Sequence, residues 1–207
     1  MERALAGQVA VVTGAGRGIG RAIAEAFAAV GAAVVLASRT TADLESVRAG
    51  IERGGATAAG VASFGLVAEG APKDWDAMLA VNLRAVMVSC RAVLPPMLAR
   101  GRGSIINVAS VAASRPIAGA AAYTATKAGV IGFSRVLADE LRAGGVRVGV
   151  LLPGAVDTPL WDTIPGGPDR ARMLRPEDVA RAAVLMATLP SGATLEELTL
   201  LPAGGIL

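Results

Sequence analysis

Apolar positions along the chain alternate between two patterns. Short, mainly apolar runs at 9–12, 33–37, 104–109, 146–152 and 198–201 stop at Thr, Ser or Pro, often with Gly behind, and read as strands buried on both faces. Between them apolar residues recur at helical spacing: Ile19, Ile23, Ala26, Phe27 and Val30 in 19–30, Leu44, Val47 and Ile51 in 41–53, and Trp75, Met78, Leu79, Leu83, Val86 and Met87 in 74–100. Pro95-Pro96 is expected to bend or end that long helix. A further helix is predicted over 121–142, and another opens at Pro176 with Glu177 and Asp178 in its first turn. A loop rich in Pro, Gly and Asp covers about 155–175. Residues 54–72 are rich in Gly and Ala and hold no β-branched strand. Residues 9–38 make one βαβ unit, and strands alternating with helices predict an α/β fold, a doubly wound, mostly parallel sheet in a single domain over 1–207.

Composition narrows the chemistry. At 207 residues, 53% hydrophobic and 18% charged, the chain can bury a substantial core in one domain. Aromatics are 3% and the net charge is +3 with no basic run, which argues against a nucleic-acid surface. With no histidine and the single cysteine Cys90, His- or Cys-built metal sites and Ser-His-Asp or Cys-His catalysis are excluded. Cys90 lies in an apolar helical stretch and reads as a small core residue. Residues 1–8 hold no apolar core followed by a cleavage site, and no run of about 18 uninterrupted apolar residues occurs, so a cytoplasmic protein without a membrane span is expected.

Against this sparse background two features carry chemistry. Tyr123, the one tyrosine, stands four residues before Lys127, one of two lysines, on a predicted helix. Side chains at i and i+4 share a helix face, and a cation beside a phenol lowers its pKa toward the range useful for general acid–base work. The plainer alternative is a partly buried Tyr and a solvated Lys one turn apart. The second feature is Thr13-Gly14-Ala15-Gly16-Arg17-Gly18-Ile19-Gly20 between a buried strand and a helix. Such a turn lets backbone N–H groups and the helix dipole meet a pyrophosphate, although the strict G-x-G-x-x-G spacing is absent and a simple glycine-requiring turn is the alternative.

In order along the chain, T-G-x-x-x-G-x-G (Gly14, Gly16, Arg17, Gly18, Ile19, Gly20), Asn82 in the long helix, Ser110 after a strand, Tyr123-x-x-x-Lys127 thirteen residues on, and Pro153-Gly154-Ala155-Val156-Asp157-Thr158 resemble the short-chain dehydrogenase/reductase family. The resemblance implies hydride transfer between a nicotinamide cofactor and a carbonyl or alcohol substrate. It gives Tyr123 the role of general acid or base and Lys127 that of lowering its pKa and binding ribose hydroxyls. Ser110 would orient the substrate oxygen, and Asn82 would hold a relay water. Pro153, Gly154, Val156 and Thr158 would lie on the nicotinamide side, and 155–175 would cap the substrate. The second strand ends in Ser38-Arg39-Thr40 with no carboxylate before Asp43, so Arg39 and Arg17 favour NADP(H) over NAD(H). A homodimer or homotetramer formed through helices 74–100 and 121–142 is expected, with a small carbonyl or alcohol as substrate and neither nucleic acid nor membrane as partner.

One part of the pattern is missing. Near 54–62 the chain is short by roughly one βαβ unit, about 30 residues. Ala59-Gly60 is what remains of the family's N-N-A-G segment, which would leave Gly60 as a cofactor contact. The first strand would then stand unpaired or be forced against 104–109. A truncated variant that repacks, an inactive product, and a sequence lacking a segment of the full molecule are all open, and the intact flanking motifs favour the last. A catalytically silent nucleotide-binding or scaffold protein of the same fold is the rival to an enzyme.

Overall fold

The computed structural model describes residues 3–38, 62–164 and 167–206. The predicted helix 41–53, Arg39, Thr40 and Gly60 lie outside the described residues. By internal packing the chain divides into two compact units, one of residues 1–60, 155–188 and 201–207, the other of 61–154 and 189–200.

In the first unit β1 (Val9–Thr13) runs through the glycine turn into α1 (Gly18–Ala29) and back into β2 (Ala33–Ala37). The strands pair in parallel, Val9 opposite Ala33 and Thr13 opposite Ala37. Val12 of β1 and Ala22, Ile23 and Ala24 of α1 are buried, and α1 packs along α5 (Pro176–Thr188), which buries Val179, Ala180, Ala183 and Val184. The opposite face of this two-stranded sheet carries Val9, Val11 and Val35, which are 68%, 50% and 51% exposed. Parallel strands normally bury both faces, so this sheet has one apolar face more than a finished parallel layer shows.

In the second unit β3 (Gly103–Val108), β4 (Val146–Pro153) and β5 (Glu197–Leu200) form a parallel sheet in that order. β4 is its central strand and is buried almost throughout. Cys90, Ile105, Leu137, Leu141, Val146 and Val148 form the core, joined by Val86, Val93, Leu94, Met97 and Phe133. These come from β3, β4, α3 (Ala85–Ala99) and α4 (Ala121–Leu141). The parallel α/β architecture is as expected, but the strands fall into two sheets instead of one. No strand occurs in residues 62–102.

The long helix also departs from its prediction. It comprises α2 (Pro72–Met78), a π-helical turn at Leu79–Arg84 and then α3. Pro95 and Pro96 lie inside α3 and do not end it. They and the residues four positions earlier, Arg91 and Ala92, are exposed, so water can take the carbonyls that lose an N–H donor. By length and composition alone the stretch Pro72–Ala99 could cross a membrane, contrary to expectation. It also carries Arg84 and Arg91, and its Met78, Asn82 and Cys90 are buried.

Gly145, between α4 and β4, has φ +70°, and a Cβ there would overlap the Gly101 carbonyl oxygen. Gly145→Ala is therefore expected to lower stability by about 2 kcal/mol or more in chemical denaturation. Gly132→Ala, inside α4 with open space around the added carbon, should leave stability equal or higher by up to about 1 kcal/mol.

Candidate functional site

Two sets of predicted residues emerge, one in each unit. The first is the glycine turn. Gly14 and Gly18 adopt φ +65° and +58°, which side-chain-bearing residues rarely take. Arg17 is the N-cap of α1 in extended conformation, exposed, and its side chain makes no capping hydrogen bond. No acidic residue occupies the first turn of α1, so Gly18, Ile19 and Gly20 present backbone N–H groups beside a positive dipole end. A Cβ on Gly18 would come within 3.0 Å of the Thr158 methyl, so Thr158 lies directly against this turn. Ser38 follows β2 and is half-buried.

The loop bearing Val156 and Thr158 is tied down within the same unit. Val156 bridges Leu174, and Asp157 N donates to Leu174 O at 2.8 Å. Trp161 Nε1 donates to Val156 O at 3.0 Å. Arg170 pairs with Asp157 at 3.2 Å and with Asp162 at 2.6 Å, and donates to Thr158 O at 3.1 Å. Sequence reading missed Arg170, which lies in a segment read as a loop rich in Pro, Gly and Asp.

The second set gathers at the carboxyl end of β3. Ser110 caps a 3₁₀ turn at Val111–Ala113, its Oγ accepting from Ala112 N at 3.2 Å. Tyr123 lies in the first turn of α4, where the Ser110 side chain acts on its phenol. Lys127 Nζ lies 5.8 Å from the Tyr123 ring centroid and donates to Val108 O at 3.1 Å. Asn82, buried in the π-helical turn, donates to Thr126 Oγ1 at 3.4 Å, and Thr126 donates to Tyr123 O at 2.7 Å. Extra-residue π turns recur at functional sites. Pro153 and Gly154 close β4, where Gly154 N donates to Leu200 O at 2.8 Å. Thr126 sits inside the Tyr-Lys pentapeptide and could have been noticed there. Phe64, whose ring lies 6.1 Å from that of Tyr123, left no signal in the sequence.

Electrostatics correct one expectation. Tyr123 and Lys127 keep some exposure as whole residues, but their polar tips are enclosed. Burial raises the Tyr123 phenol above its ordinary pKa, with the Ser110 side chain opposing it. The expected depression by Lys127 is not found, because desolvation of the phenolate outweighs a cation that is directed at the Val108 carbonyl. Burial pushes Lys127 itself down to about 8. The site thus holds a neutral phenol and an ammonium poised to lose its proton in mildly alkaline solution.

Beside this set is an open cavity of about 490 Å³, lined by Phe64, Trp75, Val67, Ala121 and Ala122 and by Glu69 and Asp74 at its polar side. Phe64 is shared between the cavity wall and the Tyr123 ring.

Comparison with known proteins fits this geometry. The short chain dehydrogenase family model matches residues 8–58 and 56–167. Its two pieces meet in the Gly- and Ala-rich stretch where the sequence is short of a βαβ unit. An oxidoreductase of Staphylococcus saprophyticus is 36% identical over 144 residues, 70% of this chain but 61% of that protein, so the chain spans less than two thirds of that relative. An oxidoreductase of Staphylococcus aureus is 31% identical over 229 aligned positions, covering 96% of this chain and 98% of the relative. Those 229 positions exceed the 207 residues of this chain, so the relative carries residues without a counterpart here. Among solved structures, a metagenomic short-chain oxidoreductase in complex with NADP superposes with TM-score 0.81 at 35% identity, covering 97% of this chain and 99% of that one. A 3-ketoacyl-(acyl-carrier-protein) reductase of Brucella melitensis complexed with NADH gives 0.84 at 31% identity, with 96% and 98% covered. On the family match and the relatives together, the chain belongs to the short-chain dehydrogenase family of oxidoreductases.

Proposed function

We propose that this protein transfers a hydride between NADP(H) and a small carbonyl or alcohol, with Tyr123 as the general acid in reduction and the general base in oxidation. The observation that carries this reading is the Lys127 ammonium 5.8 Å from the Tyr123 ring centroid, with the Ser110 side chain acting on the same phenol to lower its pKa. A phenol held neutral by burial can give its proton to a developing alkoxide, and Ser110 can hydrogen-bond the same oxygen to orient it. Lys127 supplies positive charge, and Asn82 with Thr126 braces the turn of α4 that bears Tyr123.

The glycine turn fits the cofactor: positive φ at Gly14 and Gly18 and the uncapped N-terminus of α1 make a site for a diphosphate. Bound there, NADP(H) supplies or accepts the hydride. Arg17 is the described cation available for a 2′-phosphate, and Arg39, which lies outside the described residues, is the second by sequence. The 35% identical oxidoreductase in complex with NADP supports this choice, and the NADH complex of the Brucella reductase marks the alternative. The apolar cavity beside Phe64 and the Brucella 3-ketoacyl-(acyl-carrier-protein) reductase support a ketone or 3-oxoacyl compound as substrate. Exposed Met87, Val88 and Val136 on α3 and α4 support assembly as a homodimer or homotetramer. The rival reading, a silent nucleotide-binding protein, is favoured by the divided sheet and by the break in the family match.

Tyr123→Phe separates the two. Turnover of a ketone with NADPH should fall by a factor of about 10³ or more while the NADPH dissociation constant stays within twofold, and unchanged turnover would remove Tyr123 from the mechanism. NADPH should raise the thermal midpoint more than NADH at equal concentration, since a ligand binding only the folded state stabilises it by mass action. A third test follows from Lys127. Its folded pKa of about 8 lies below the ordinary lysine value, so the ammonium is present below pH 8 and lost above it. The NADPH dissociation constant should be flat below pH 8 and rise above it by up to about tenfold per pH unit, and Lys127→Met should abolish the dependence.

A further inference from the structure

Asn107 is a polar residue in the middle of a buried strand. It is 7% exposed and stands between Ile106 and Val108 on β3, where an aliphatic side chain would satisfy both strand propensity and the core. Its amide is instead matched by two helices. Cys90 Sγ on α3 donates to Asn107 Oδ1 at 3.5 Å. Asn107 Nδ2 donates to Ser134 Oγ on α4 at 2.9 Å. Ser134 in turn donates to Val130 O at 2.7 Å, which leaves its oxygen as the acceptor for Asn107 and fixes which way the amide faces.

The consequence lies along the same two elements. Tyr123, Lys127, Val130 and Ser134 are spaced four, three and four residues apart on α4 and so share one face. On β3, Asn107 is bonded to Ser134, and the next residue, Val108, accepts from Lys127 at 3.1 Å. Two directional fasteners therefore pin the strand to the helix at the residues just before Ser110 in the chain. Apolar packing tolerates sliding of a strand along a helix, whereas a hydrogen bond fails within about an ångström of displacement.

We infer that Asn107 is a positioning residue, which through Ser134 and Cys90 sets the register of β3 against α4 and so the placement of Ser110 against the Tyr123 phenol. The inference rests on the proposed catalytic role of that pair, but it can be read without turnover. Tyr123 is the one tyrosine in the chain, so phenolate absorbance against pH titrates this group alone. The Ser110 side chain lowers the phenol pKa, so weakening its action raises the titration midpoint.

The test compares the wild type with Ser110→Ala, Asn107→Leu, Ser134→Ala and Cys90→Ser. Ser110→Ala calibrates the full effect, an upward shift of about one pH unit. Asn107→Leu, close in volume and apolar, should reproduce most of that shift with an unchanged NADPH dissociation constant. It should also lower kcat about 10²-fold, as small misplacements of catalytic groups do. Cys90→Ser, which keeps a donor, should titrate as the wild type does. If Asn107→Leu fails to fold, Ser134→Ala decides, since it removes one acceptor from the network: a raised midpoint supports the inference and a wild-type midpoint overturns it. A wild-type titration and kcat in a folded Asn107→Leu also overturn it. Failure of the proposed function has a different signature, with no turnover in the wild type and no effect of Tyr123→Phe, while the phenol titration still reports on Asn107.

Discussion

The Lys127 ammonium on the Val108 carbonyl is the interaction around which the second unit is arranged. A strand that ends in a parallel sheet leaves carbonyls at its carboxyl edge, and a buried lysine needs acceptors. Joining the two fastens β3 to α4 at the point where Ser110 and Tyr123 must meet. The same burial sets the electrostatics. It holds the phenol neutral and brings the ammonium close to losing its proton, so one desolvated patch contains two proton donors. Asn82 and Thr126 add a second tie, from the π-helical turn to the backbone of Tyr123.

The first unit answers a different requirement, room for a diphosphate. Glycine at φ +65° and +58° brings the backbone round sharply enough to leave the first N–H groups of α1 uncapped. Thr158 lies against Gly18, and its loop is held by Arg170, whose guanidinium reaches Asp157, Asp162 and the Thr158 carbonyl. Each of those ion pairs is exposed and modest by itself. Together they fix a segment that has almost no core of its own.

Much of this was legible in the sequence because the signals are local. Short, mainly apolar strand runs, helical spacing on α1, and the T-G-x-x-x-G-x-G turn each follow from chain geometry within one element. The five strands appeared within one or two residues of their predicted bounds. What failed depended on neighbours. Pro95 and Pro96 read as a helix end, yet they sit on an exposed side where water can serve the orphaned carbonyls. The π-helical turn around Asn82 has no signature in hydrophobic spacing. Phe64, Asn107 and Arg170 are single residues whose partners lie far away in sequence.

The sequence by itself determined which residues could do chemistry. A chain with one tyrosine, two lysines and no histidine admits few acid–base groups, and their order along alternating strands and helices assigned the family. Only the tertiary structure decided their states and their spacing. A pKa depends on the solvent excluded around a group, and that exclusion placed Tyr123 above its ordinary value where sequence reasoning from Lys127 alone predicted the reverse. Strand pairing depends equally on which partner is present. Among the described residues β1 pairs with β2 alone, and Val9, Val11 and Val35 are left exposed, an outcome that no residue of β1 specifies.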